Sequence, residues 1–245
     1  MSKGLVLILG ARSDIGIAIA HRFAQEGYDI QLAARNKLTL DRDCSDINIR
    51  YNVEVTSHEF DVLDIFSHEN FVSSLPLLPT VVVSVIGYMG KQKESEHNTK
   101  AASLVMRSNY EGPVNVLGIF ANYFEERGSG TLIGISSVAG DRGRASNYVY
   151  GSAKAGFTTF LSGLRNRMYR KGIHVLTVKP GFVFTKMTQD LELPKHLTTD
   201  PKTTSIAIYK AYTKKANVIY IKSIWRLIIF IIRSIPEEIF KKTKL

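Results

Sequence analysis

Cysteine is nearly absent. A single Cys44 in 245 residues excludes a disulfide within the chain, and no Cys/His cluster has metal-ligand spacing. This usage fits a reducing, cytoplasmic setting. Proline is scarce, at 7 against 18 glycines, which excludes collagen and proline-rich low-complexity chains. No run reaches the roughly 18 uninterrupted apolar residues of a membrane span. The early apolar stretch Leu5-Val6-Leu7-Ile8-Leu9 is too short for a secretory signal and ends at Gly10. Acidic residues are outnumbered 22 to 32, and unevenly: residues 207–245 hold nine basic and two acidic side chains, which is +7 of the total +10. Such a tail calls for an anionic surface. It lacks the aromatic and basic interleaving of a nucleic-acid binder, so no nucleic acid is expected as a partner.

What is present is a regular alternation of two periodicities. Continuous aliphatic runs closed by glycine predict buried strands over 5–9 and 80–86, with others at 28–34, within 51–60, at 131–136 and at 173–178. Apolar residues at helical spacing predict helices over 15–27, 68–75, 100–127 (with a Gly112-Pro113 step) and 147–170. Strand following helix in this order predicts an α/β doubly wound parallel sheet of the Rossmann type, in one domain over 1–206 with a C-terminal extension over 207–245.

Between the first strand and first helix stands Gly10-Ala11-Arg12-Ser13-Asp14-Ile15-Gly16. Glycine there lets backbone approach a pyrophosphate, and the N–H groups of the helix start face the anion. A plain glycine-rich turn would read the same way, but its place in a β-α-β unit favours a nucleotide. The second strand ends at Arg35 rather than an acid. An arginine pairs with a 2′-phosphate where an acid would accept from a ribose hydroxyl, which favours NADP(H). Arg12 either assists or points to solvent.

Tyr150-Gly151-Ser152-Ala153-Lys154 places a phenol and an ammonium four apart on one helical face. A neighbouring cation favours phenolate, and the expectation is that Lys154 brings the phenol down toward the working range. Thirteen residues earlier a strand ends in Ser136-Ser137, with a hydroxyl suited to a substrate carbonyl.

On these motifs the chain resembles the short-chain dehydrogenase/reductases, from about Leu5 to Met187. Gly10 and Gly16, with Arg12, Ser13 and Ile15 between them, fall on the cofactor turn. Asp61-Val62 falls on the adenine-contacting pair, and Gly87 on the last glycine of the fourth-strand motif. Asn109, Ser137, Tyr150 and Lys154 fall on the catalytic positions, and Pro180-Gly181-Phe182-Val183-Phe184-Thr185 on the stretch gripping the nicotinamide carboxamide. The resemblance implies reduction of a ketone by NAD(P)H. Tyr150 gives the proton, Ser137 holds the oxygen, Lys154 binds the ribose hydroxyls and Asn109 positions a water. It also implies a substrate lid over 186–206, with His196 an exposed loop residue, and a homodimer or homotetramer paired through 100–127 and 147–170. Three departures stand out: Leu9 for threonine, Asp14 for the middle glycine, and Ser84-Val85-Ile86 where Asn-Asn-Ala is usual.

Residues 9–16, 136–156 and 235–242 are similar to the branch of the family that reduces decaprenylphosphoryl-2-keto-ribose to the arabinose form. That likeness implies a lipid-linked keto-sugar of cell-envelope glycan synthesis as substrate. A 3-oxoacyl or other small-ketone reductase and a non-catalytic NADP(H)-binding regulator are the competing readings. In the tail, residues 224–235 are apolar but interrupted by Arg226 and Arg233 on one face, with Lys222 before and Lys241, Lys242 and Lys244 after. Such a helix suits a membrane interface with Trp225 at its boundary. Packing on the domain, covering the cleft and joining subunits are its other uses.

Overall fold

The computed structural model describes residues 2–189 and 191–243. Asp190 in the expected lid and Lys244 in the basic tail lie outside the described residues. The strands of the main sheet are β1 (Leu5–Leu9), β2 (Asp29–Ala34), β3 (Val55–Glu59), β4 (Val81–Ser84), β5 (Gly130–Ile135) and β6 (Ile173–Pro180), followed by a short pair, β7 (Phe182–Val183) and β8 (Thr198–Thr199), and a last strand of the main sheet, β9 (Val218–Ile221). Between and after them run α1 (Asp14–Gln25), α2 (Asp41–Tyr51), α3 (His68–Ser73), α4 (Gln92–His97), α5 (Thr99–Met106), α6 (Gly112–Arg127), α7 (Tyr148–Met168), α8 (Pro201–Thr213), α9 (Ile224–Ser234) and α10 (Glu237–Phe240).

The main sheet has seven strands, all parallel, in the order β3-β2-β1-β4-β5-β6-β9. The order reverses between β1 and β4, and a crevice opens there beyond the strands' carboxyl ends, where doubly wound sheets take their ligands. Side-chain alternation sends Val6 and Ile8 into one core with Ile19, Phe23 and Ile208, and Leu7 and Leu9 into another with Phe120, Phe157 and Leu161. Both faces are covered, which is why these strands read as unbroken aliphatic runs.

The expected Rossmann-type sheet is present, and the differences are local. Helix α2 was not expected because only Ile47 along it is buried, too little to show a helical period. The stretch 100–127 is continuous but carries a π-helical turn over Arg107–Glu111. The lid expected over 186–206 is a loop only in part. Strand β8 pairs with β7, and Asp200 caps α8 by accepting from the Thr203 N–H at 2.8 Å, with Pro201 in the first turn. The boundary expected at 206 thus falls inside α8. Of the extension over 207–245, β9 is an integral edge strand, and the part lying outside the sheet starts at α9.

Trp225 corrects the expectation of a membrane-boundary residue. It is 3% exposed, packed with Val138 and Ile229 and edge-on to Phe182, and its indole N–H donates to the Leu197 carbonyl at 3.2 Å. A buried ring with a satisfied donor is a core residue. We predict that Trp225→Ala costs about 3–5 kcal/mol of folding free energy, measured by urea titration followed by circular dichroism. A loss below about 1 kcal/mol would show that α9 does not contribute to the fold.

Candidate active site

A cleft of about 680 Å³ opens over the crevice, within the range of small-molecule sites. It brings together Arg12, Ser13, Ile15, Gly87, Ser137, Tyr150, Lys154, Pro180, Gly181, Val183 and Thr185, all singled out from sequence. Gly10 and Gly16 lie beneath the turn. Gly10 has φ +87°, and a Cβ on it would stand 2.9–3.2 Å from Ile86; one on Gly16 would meet the Ser13 hydroxyl and the Gly10 carbonyl at about 3 Å. Both glycines are therefore required by the packing of the turn itself, against Ile86 and against Ser13. The Ser13 hydroxyl accepts from the Gly16 N–H at 2.9 Å, and Gly10 and Ala11 N–H both donate to the Ala33 carbonyl. The N–H groups of Asp14 and Ile15 start a helix and have no partner within it, so they remain for an anion. These residues fit a dinucleotide pyrophosphate.

Arg35, Asp61 and Val62 do not line the cleft. Arg35 follows β2 and is exposed, and its turn is fixed because Glu59 accepts from the N–H groups of Asn36 and Lys37 at 2.7 and 2.8 Å. The Asp61 carboxylate accepts from the Leu63 N–H, and Val62 packs against Gly112. All three sit beyond β1 from the catalytic residues, over the half of the sheet where an adenosine would lie. The departure Asp14 is tied to the lid: its carboxylate accepts from the Lys186 N–H at 2.7 Å. Local sequence gave no sign of that contact. His196 is exposed, as expected.

Lys154 is buried, and its ammonium donates to the carbonyls of Ile135 (3.1 Å) and Ile86 (3.4 Å). Burial lowers it from 10.5 to about 7, and no carboxylate offsets the shift. Asn109 is fully buried in the π-helical turn. Its amide donates to the carbonyls of Tyr88 and Val105, and its oxygen accepts from the Tyr88 N–H. Its side chain clamps the turn after Gly87. A Cβ on Gly87 would stand 3.2 Å from the Asn109 oxygen and 3.5 Å from the Lys154 nitrogen, so the three pack as one unit.

The expectation for Tyr150 needs correcting. The phenol is not lowered: burial pushes it up to about 12, and the Ser137 hydroxyl beside it offsets this only in part. The Lys154 nitrogen lies 5.8 Å from the ring centre with its hydrogen bonds given to main chain. Desolvation outweighs the cation, so at neutral pH Tyr150 holds its proton and is a donor.

With this geometry in view, the match of residues 4–195 to the family model described as short chain dehydrogenase accounts for the turn, the serine and the Tyr/Lys pair together. The chain belongs to the short-chain dehydrogenase/reductase family. An oxidoreductase of Mycobacterium tuberculosis, itself uncharacterized, is 33% identical over 241 residues, covering 97% of this chain and 96% of that one. A short-chain dehydrogenase from Sphingobium yanoikuyae in complex with NADPH superposes with a TM-score of 0.83 at 22% identity, covering 95% of this chain and 96% of that one. One from Burkholderia cenocepacia in complex with NADP gives 0.82 at 19%, covering 98% and 97%. As a short-chain dehydrogenase/reductase, the protein is an oxidoreductase.

The buried lysine makes stability depend on pH. Its folded value, about 7, lies below the ordinary 10.5, so the unfolded chain binds the extra proton between these values and stability rises with pH across that window. Below about pH 7 the cost of burying the cation is fully present. We predict that the stability of wild type relative to Lys154→Met improves from pH 7 to pH 10, read from urea midpoints. A difference flat across that range would mean the ammonium is not desolvated.

Proposed function

We propose that this protein is an NADP(H)-dependent carbonyl reductase acting on a keto-sugar carried by a polyprenyl phosphate or a related cell-envelope glycan precursor. The observation carrying the reaction is one cleft lined by Ser137, protonated Tyr150 and Lys154 beside the anion-ready turn. The substrate class rests on the likeness of residues 9–16, 136–156 and 235–242 to the keto-ribose reductase branch. The cofactor reading rests on Arg12 and Arg35, with the NADPH and NADP of the two superposed proteins as analogy.

Bound in this cleft, the reduced dinucleotide supplies a hydride. The Ser137 hydroxyl donates to the substrate's carbonyl oxygen, and Tyr150 Oη passes its proton to that oxygen as charge develops. Below about pH 7 the Lys154 ammonium favours the departing phenolate, and it would bind ribose hydroxyls from the same position. Asn109 holds the Tyr88 turn and, through it, the wall beside Lys154; positioning a water belongs to this proposal too. Pro180, Gly181, Val183 and Thr185 would grip the carboxamide.

Tyr150→Phe is expected to lower NADPH oxidation on keto-sugars and simple ketones by about 10²–10⁴-fold while fluorescence titration shows NADPH affinity within about threefold. Arg35→Ala should weaken NADPH about 10- to 100-fold and leave NADH unchanged, the size of one or two charge-assisted hydrogen bonds. Turnover unchanged in Tyr150→Phe excludes the assigned chemistry. Cofactor binding without oxidation on any ketone would favour a regulatory protein.

We also propose that α9 rests on an anionic membrane at its inner, cytoplasmic face, where a lipid-linked substrate lies. No described helix is long and apolar enough to cross a membrane. On α9, Trp225 and Ile229 face the core, whereas Ile224, Leu227, Phe230 and Ile231 are exposed, with Arg226 and Arg233 along the border. An exposed apolar strip flanked by cations suits headgroups and upper acyl chains. Exposed Leu104, Met106, Tyr110 and Tyr148 on α5–α7 support pairing of copies there. Because Leu227 and Phe230 are exposed, Leu227→Glu/Phe230→Glu should melt like wild type and lose sedimentation with phosphatidylglycerol vesicles. Equal sedimentation of both proteins excludes this contact.

A further inference from the structure

The loop from β5 to α7 covers 136–147, with Ser137 near its start and Tyr150 in the first turn of the helix that follows, so it is tethered to the reacting centre at both ends. It is held from behind. The Asp141 carboxylate pairs with the Lys179 ammonium and accepts from the Tyr220 hydroxyl. The Arg142 guanidinium donates to the carbonyls of Ile232 and Ile235 at 2.6 Å and to Glu237, and lies 3.7 Å from the Phe240 ring centre. Two residues on, Arg144 turns the other way and lines the cleft.

Arg144 is half-buried, and burial alone pushes its guanidinium downward, with no carboxylate to oppose it. Its guanidinium makes no hydrogen bond or ion pair with any described residue; only its carbonyl accepts, from the Asn147 N–H. Comparable half-buried arginines each have an anionic or carbonyl partner: Arg22 pairs with Glu26, although its Nε is left unbonded, Arg142 is held at the end of α9, and Arg165 by Val175, Thr177 and Asn217. A partly desolvated cation without a partner is costly unless a ligand supplies the anion. Among the described residues the cleft offers none: the one acidic residue described in its lining, Asp14, is bonded to Lys186, while five basic residues line it. Arg12 stands at the pyrophosphate turn, Lys186 faces Asp14, and Lys154 is bound to main chain. Lys91 is exposed to solvent. That leaves Arg144 facing the substrate half, among the apolar side chains of Met89, Val149, Met187 and Leu191.

We propose that Arg144 is the anion-recognition residue of this cleft, and that the substrate carries a phosphate ester within reach of its reacting carbonyl. This deepens the reductase reading and rests on it. A planar guanidinium takes two phosphate oxygens at once, which fixes orientation as well as affinity. The phosphate belongs either to a free sugar phosphate or to an isoprenoid chain lying on the apolar wall.

Isothermal titration of the full chain, saturated with NADPH to occupy the turn at Arg12, separates these cases without relying on turnover. The probes are methyl phosphate for the free ester and citronellyl phosphate for the isoprenoid-linked one. Arg144→Gln is expected to weaken both at least tenfold, with Arg144→Lys between it and wild type and Lys91→Gln within twofold of wild type. Tighter citronellyl phosphate binding assigns the lipid-linked source, and equal binding the free one. Arg144→Gln binding both probes like wild type overturns the proposal, as does an equal loss in Lys91→Gln, which would mark a diffuse positive field. Melting temperatures of the variants check the fold. A chain that reduced no ketone yet lost phosphate binding in Arg144→Gln would sink the reductase reading and leave the anion site standing.

Discussion

The active centre is organised around a cation given no counter-charge. Lys154 reaches from α7 to the carboxyl ends of the central strands and finds only main-chain carbonyls, those of Ile135 and Ile86. Reaching them requires α7 to lie close against the loop after β5. Gly140 permits this, because a Cβ there would stand 2.7–2.9 Å from the Lys154 main chain and the Ala155 nitrogen. The Ser136 hydroxyl, donating to the Lys154 carbonyl, fastens the same joint from the strand side. Ser137 is therefore held beside Tyr150 by the contacts that bury the lysine, and the depressed value of that lysine follows from the packing that aligns the other two.

How much of this could be read from residues alone depended on the range of the interaction. Strands such as Val81–Ser84 announce themselves because parallel strands covered on both faces are apolar throughout. The Tyr150/Lys154 pair was legible because four residues make one helical turn. The sign of the Tyr150 shift was not, since spacing reports the neighbouring cation but not the desolvation set by the whole cleft. Helix α2 was silent because it buries little, and the first half of α8 was hidden in a Pro/Thr-rich stretch that reads as loop until Asp200 is seen to cap it. Trp225 looked like an interfacial residue in an amphipathic segment. Its burial against Gly181 joins positions far apart in the chain, and nothing local to either encodes the contact.

That contact shows what the C-terminal segment does for the site. A Cβ on Gly181 would overlap the Trp225 indole, so the glycine in the cleft-lining stretch 180–185 admits the tail's anchor. Strand β9 supplies Tyr220 to the Asp141–Lys179 pair, and α9 offers its last carbonyls to Arg142. The orphan carbonyls of a helix end, normally left to water, here fix the loop carrying Arg144, which lines the cleft. The loop and the Gly181 turn are thus braced by one segment.

The protonation states of Tyr150 and Lys154 have one common origin in the burial of the cleft. A phenol held at about 12 keeps its proton at neutral pH, which is the form needed to quench an alkoxide. Lysine shifts in the opposite sense: its charge is present below about pH 7 and lost above it. Proton donor and stabilising cation coexist on the acid side of neutrality, and raising the pH removes the cation well before it produces phenolate. One desolvated environment thus moves the phenol up and the ammonium down, so a single change in the burial of this cleft would shift both groups together.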